Sequence, residues 1–160
     1  MTHEKQTAVN AVEVKKELIC QAADHIWSNP ELSLMEDKSA AYYCDILEKE
    51  GFQVERGICG IRTAFSASFG SGSPRIGILA EYDALSGLSQ EAGSLEQKEI
   101  LPGGCGHGCG HNLLGAGAFG AALGVKAYLE ETGHDGTVIL FGCPGEEGGA
   151  AKAFMAREGL

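Results

Sequence analysis

The sequence predicts an α/β fold, a partial three-layer arrangement with helices on both faces of a sheet, and three observations carry that expectation. Residues 9–27 and 36–50 repeat apolar side chains at helical spacing. Two continuously apolar runs, Ile76–Ala80 and Thr137–Phe141, have the character of covered strands. Between those runs lies a long stretch rich in glycine and alanine, residues 112–131, so strand, helix and strand together form a βαβ unit whose strand ends share one rim of the sheet. At 160 residues and 44% hydrophobic, the chain fits one domain with a real core.

Charge and leader signals narrow the partners. Lys and Arg total 12 against 22 Asp and Glu, a formal net charge of -10, which disfavours nucleic acid and anionic membrane surfaces and leaves small molecules or proteins. The N-terminus is polar and no apolar run approaches the roughly 18 residues of a membrane span, so the expected location is cytoplasmic. In a reducing compartment the six cysteines are free thiols rather than a disulfide framework. Cys20, Cys44 and Cys143 then read as buried small hydrophobes, Cys59 has no assignment, and Cys105 and Cys109 stand apart in a glycine-rich loop beside histidines.

Taken in order, the first helix runs from about Val9 to Trp27, with Val12, Ile19, Ala22, Ala23 and Ile26 on its apolar face, and ends before Asn29-Pro30. A second helix, from about Glu36 to Glu50, buries Ala40, Tyr43, Ile46 and Leu47 and stops at Gly51. Residues 52–59 and 63–69 favour strands, and a Gly-Ser-Pro turn leads into Arg75–Ala80, expected to be a buried central strand. That strand delivers Glu81-Tyr82-Asp83 to its carboxyl end, where open α/β sheets build ligand sites; a cap on a turn is the plainer role for Asp83. Residues 84–110 form a long loop of the kind that is uncommon unless functional or disordered. The glycine-rich face of the following helix implies a very close approach to the sheet, because each helical glycine costs about 1 kcal/mol relative to alanine. The last strand, Thr137–Phe141, leads to Gly145-Glu146-Glu147-Gly148-Gly149 and then to a short helix over 149–160.

The chemistry lies in Gly106-His107-Gly108-Cys109-Gly110-His111-Asn112, which places two imidazoles and a thiol within five residues. Cys109 and His111, two apart, face the same way on an extended loop and can hold one metal or two adjacent ones. A mononuclear zinc on Cys105, His107, Cys109 and His111 is the competing pairing, although structural zinc sites draw their ligand pairs from separate arms. A phosphate cradle fits less well, since no lysine follows the glycines. Adjacent Glu146 and Glu147 cannot point the same way on regular structure, which suits a division between a metal ligand and a general base.

Glu81-Tyr82-Asp83-Ala84-Leu85, the segment 106–115, Gly142-Cys143-Pro144-Gly145-Glu146-Glu147-Gly148-Gly149 and the upstream Pro30-Glu31-Leu32-Ser33 together resemble the dinuclear aminoacylase and carboxypeptidase family of metallopeptidases. The resemblance implies a zinc-peptidase-like catalytic domain using two divalent ions, zinc or manganese. It assigns Cys109 as a thiolate ligand able to bridge them, His111 and Glu147 as further ligands, Glu146 as the general base and Asp83 as the carboxylate that orients the site. The implied reaction is hydrolysis of an amide between an acyl or aminobenzoyl group and an amino acid, with a homologous subunit or a second copy as partner. Ser86 stands where the family usually has proline, and Glu81 where other branches carry a histidine or aspartate, so Glu81 is a further candidate ligand.

Family members are considerably longer, so residues 1–160 read as the N-terminal part of a catalytic domain, truncated before a lid or dimerisation domain. Two ions with three protein ligands each need six attachments; Cys109 counted twice, His111 and Glu147 leave two unfilled. The expected activity is therefore a metal-dependent amidohydrolase whose centre these residues assemble only in part. The alternative is a catalytically inactive remnant or interaction module with an exposed sheet edge.

Overall fold

The computed structural model describes residues 1–160 as a mixed α/β unit. Helices α1 (His3–Val14), α2 (Lys16–Ser28) and α3 (Asp37–Lys49) precede strands β1 (Gln53–Arg56), β2 (Phe65–Ser71) and β3 (Arg75–Ala80). Helix α4 (His111–Thr132), strand β4 (Gly136–Gly142) and the short helix α5 (Ala151–Arg157) complete the chain. No helix is long and apolar enough to cross a membrane.

The four strands lie in the order β1-β2-β4-β3. β4 pairs antiparallel with β2 and parallel with β3, in a register that sets Ala80 opposite Gly142. This shared ending carries Glu81 to Asp83 and Cys143 to Glu147 out at one rim, as the βαβ reading expects.

Three expectations need correction. The first predicted helix is two helices, broken at Lys15, and α1 buries none of its residues while α2 buries Ala22, Ala23 and Ile26. β3 is an edge strand rather than a central one, and its Ile76 and Leu79 are 48% and 52% exposed. Its apolar run reports what the side chains would bury, whereas edge or centre is decided by main-chain pairing, to which side-chain periodicity is blind. Third, the glycine face of α4 meets mainly other helices: a side chain at Gly120 would strike Ile19 of α2 at 3.0 Å, and one at Gly124 the main-chain oxygen of Ala8 in α1 at 3.3 Å.

The core lies between the sheet and α2, α3 and α4, where Tyr43, Phe65, Tyr82 and Phe119 are at most 1% exposed. Tyr43 meets Tyr82 at a tilt and Phe119 edge-on, with centroids 5.8 and 6.4 Å apart, while Phe65 and Tyr82 stack at 6.0 Å. Each such side chain contributes roughly 1.5–3 kcal/mol through burial. On the opposite face α5 covers only the end of the sheet, where Met155 packs with Ile58, Ala64 and Cys143. Cys44 and Cys143 are buried as expected, and burial pushes each thiol up to about 11. Cys20 is exposed, because its position on α2 turns away from the core.

Candidate metal centre

The rim is assembled around one carboxylate. Asp83, 1% exposed, follows β3 and takes hydrogen bonds from three segments far apart in sequence. His111 Nδ1 donates to its Oδ1 at 2.9 Å and to its main-chain oxygen at 3.1 Å. Ser33 Oγ and the main-chain N–H of Glu147 both donate to Oδ2 at 2.9 Å. Since every partner of Nδ1 is an acceptor, that nitrogen carries the hydrogen and the ring presents Nε2 to the rim.

The local backbone explains how His111 arrives there. Gly110 is left-handed, with φ of 81°, so the loop turns sharply into α4 and His111 becomes its first residue. Upstream, Gly106 pairs with Leu85 and passes so close to Leu88 that any side chain would overlap the Leu88 main-chain oxygen. The expected extended loop is therefore a turn followed by a helix start, yet Cys109 and His111 still converge.

Donor atoms of Cys109, His111 and Glu147 lie within 4.8 Å of one another, and those of Glu81, His111 and Glu146 form a second group with the same spacing. His111 Nε2 is 3.1 Å from Glu81 and 3.8 Å from Glu146. A hydrogen bond to Glu147, followed by burial and the charges of Glu147, Glu146 and Glu81, raises the Cys109 thiol above its ordinary value. All five residues singled out from sequence, Asp83, Cys109, His111, Glu146 and Glu147, thus share one rim. The other histidines stay away: His3 pairs with Glu131, His25 stacks on Tyr42 and His134 bonds Tyr128.

His107 does not join the cluster. It is buried, donates from Nε2 to the Ile26 carbonyl at 3.1 Å, and burial lowers its pKa. With Cys105 it lines a separate cavity of about 610 Å³ beside Trp27 and Lys38. The four-ligand zinc alternative therefore lacks its geometry, since Cys105 and His107 fall outside both donor groups.

Two residues carry roles that the sequence motifs did not reveal. Lys152 of α5 pairs with Glu81; burial would lower its pKa, but the hydrogen bond and charge of Glu81 outweigh this and raise it. Ser33, in the Pro-Glu-Leu-Ser segment whose resemblance gave it no role of its own, donates to Asp83 Oδ2.

No protein-family model matches the chain. A p-aminobenzoyl-glutamate hydrolase polypeptide of Escherichia coli K12, one subunit of that enzyme by its name, is 51% identical over 151 residues, covering 94% of this chain and 31% of that protein. The human Xaa-Arg dipeptidase is 31% identical over 150 residues, covering 84% and 30%. A Bacillus subtilis dinuclear metal-binding peptidase of the M20 family matches in structure with a TM-score of 0.68 at 25% identity, over 84% of this chain and 36% of that one. An aminobenzoyl-glutamate utilization protein from Klebsiella pneumoniae shares the fold, with a TM-score of 0.61 at 16% identity, over 94% and 43%. The chain spans about a third of the length of the curated relatives it matches.

Proposed function

We propose that the chain, similar to dinuclear metallopeptidases over the third of its relatives' length that it spans, belongs to that family and forms one wall of the metal centre of an amidohydrolase. The substrate class is an N-acyl or aminobenzoyl amino acid, p-aminobenzoyl-glutamate being the example that the bacterial relative's name supplies. The observation that supports this reading is the grouping of Cys109, His111 and Glu147 around an imidazole whose far nitrogen is fixed by buried Asp83.

The donor set fits a divalent transition ion. Thiolate and imidazole suit zinc, and the flanking carboxylates also accept manganese. Cys109, His111 and Glu147 would hold the metal; when bound, it would supply polarisation of the amide carbonyl and acidify a water from about 15.7 toward about 7. The remaining steps belong to side chains of this chain. Asp83 keeps the hydrogen on His111 Nδ1, so that Nε2 retains its lone pair for a ligand bond. Glu146, 38% exposed at its side chain and bordering the cluster, takes the proton of the attacking water and passes it to the departing amine nitrogen. Residues 1–160 are read as the first part of the catalytic domain, supplying four of the six attachments that two ions require, with a homologous subunit or second copy as partner.

Metal content and p-aminobenzoyl-glutamate hydrolysis, measured with added zinc or manganese, test this reading. Glu146→Gln should keep the metal and lower turnover by about 10²–10⁴-fold, while Glu147→Ala should lose metal. Metal-dependent turnover that survives Glu146→Gln would overturn the assignment. One observation favours a second reading, a non-catalytic module presenting a sheet edge: the free edge of β3 with Ile76 and Leu79 half exposed. That reading expects no turnover and no loss of partner binding in either variant.

A further inference from the structure

Glu36 is, with Asp83, one of two fully buried carboxylates of the chain, and it takes no part in the chemistry above. It is 0% exposed, at the start of α3. Its Oε1 accepts from the main-chain N–H groups of Leu34 and Gly145, both at 2.8 Å, and its Oε2 accepts from Thr63 Oγ at 2.9 Å. Taking a carboxylate out of water is costly unless its oxygens are satisfied, and here three donors from three segments satisfy them. One of those donors, Gly145, lies 109 residues away and immediately precedes Glu146 and Glu147.

The turn that follows Gly145 is thus gripped at two amides: Gly145 N–H by Glu36 and Glu147 N–H by Asp83. Gly149 and Ala150 N–H close the turn on the Gly145 carbonyl at 2.8 and 2.7 Å, so it moves as one unit, and Asp83 alone would hold that unit by side chain only at Glu147. With both bonds, the main chain through Glu146 is fixed at two points, and the directions in which both carboxylates leave it are set. We propose that Glu36 is a positioning residue for the metal centre: it fixes the turn carrying Glu146 and Glu147 before any ion or substrate arrives. This rests on the assignment of Glu147 as ligand and Glu146 as base.

The geometry separates positioning from mere core support. Glutamine at position 36 keeps an oxygen for Leu34 and Gly145 and turns its amide toward the Thr63 hydroxyl, which can accept instead of donating. Aspartate keeps the charge but is one methylene too short to reach Gly145. Thr63→Val removes a bond from the same carboxylate without touching the turn.

The test is amide hydrogen exchange over residues 143–149 in the metal-free protein, with zinc affinity measured alongside. Glu36→Leu and Glu36→Asp should speed exchange at Gly145 and Glu147 and weaken zinc about tenfold or more. Glu36→Gln should restore both to wild-type values, and Thr63→Val should lower thermal stability with exchange and zinc affinity unchanged. Wild-type exchange in Glu36→Asp, or faster exchange in Glu36→Gln, would overturn the proposal, and this pair decides it even where Glu36→Leu does not fold. Should Glu147→Ala bind zinc like the wild type, the ligand assignment fails, while the metal-free exchange data still judge the positioning.

Discussion

The core beneath the sheet is dry, whereas the rim at the carboxyl ends of β3 and β4 buries Asp83 and His111 but leaves Cys109, Glu146 and Glu147 exposed, and different forces hold the two. The core is a contact of apolar surfaces in which Tyr43, Phe65, Tyr82 and Phe119 fill space against Leu140 and Val138. Such packing is non-directional and absorbs modest repacking. The rim buries Asp83, His111 and Glu36, each held by hydrogen bonds to segments at least 27 residues distant at one of its partners. Those bonds are directional, and losing one leaves a buried partner unpaired. The difference separates stability from the proposed function: the core sets how firmly the chain folds, and the rim sets where the candidate ligand atoms stand.

Four changes would sharpen or break that division. Phe119→Ala should have the largest effect, about 3–5 kcal/mol of stability, read by thermal or chemical denaturation, with the zinc affinity of the folded protein unchanged. Asp83→Asn should act on the rim alone, weakening zinc by about 10–100-fold in calorimetric titration. Gly115→Ala tests the joint between the regions, since a methyl there would lie 2.6 Å from the Tyr43 hydroxyl and 2.7 Å from the Glu81 main-chain oxygen. It should cost about 1–3 kcal/mol and weaken zinc as well; an effect on stability alone would show that the regions are uncoupled at α4.

The smallest effect concerns pH. Burial raises the Glu36 carboxyl above its ordinary value of 4.5, against the lowering by its hydrogen bonds. Folding therefore raises the pH at which this carboxyl ionises, and the stability this contributes is complete below the unfolded pKa and is lost as pH rises through the raised value. Glu36→Gln cannot ionise, so its melting temperature should exceed that of the wild type at neutral pH, with the gap closing in acid. A melting curve series across pH checks this, and a gap that widens in acid would reverse the sign.

Much of this division is legible in the sequence, and the exceptions are instructive. The βαβ unit follows from two apolar runs around a helical stretch, and that topology alone brings Asp83, His111 and the Glu146-Glu147 pair to one rim. Periodicity could not show that β3 is an edge, because that depends on which strand supplies the main-chain partner, whereas the outward face of Cys20 is legible from its helical spacing to Lys16 and Asp24. Glu36 is opaque for another reason: at the head of an amphipathic helix, a glutamate has the pattern of an exposed first-turn acid. Its donors come from Leu34, Thr63 and Gly145, and only the fold makes them neighbours.

The turn bearing Glu146 and Glu147 is fastened through its amides, with Glu36 and Asp83 as the two clasps. A fastening to peptide groups is indifferent to the side chains that the peptide carries. Positions 146 and 147 therefore behave as sockets in a rigid frame: aspartate, histidine or glutamine could be seated there without loosening the turn. On the proposed assignment of Glu147 as a ligand, the preference for one ion over another would be exchanged by a single codon there, while the turn that aims it stays as it is.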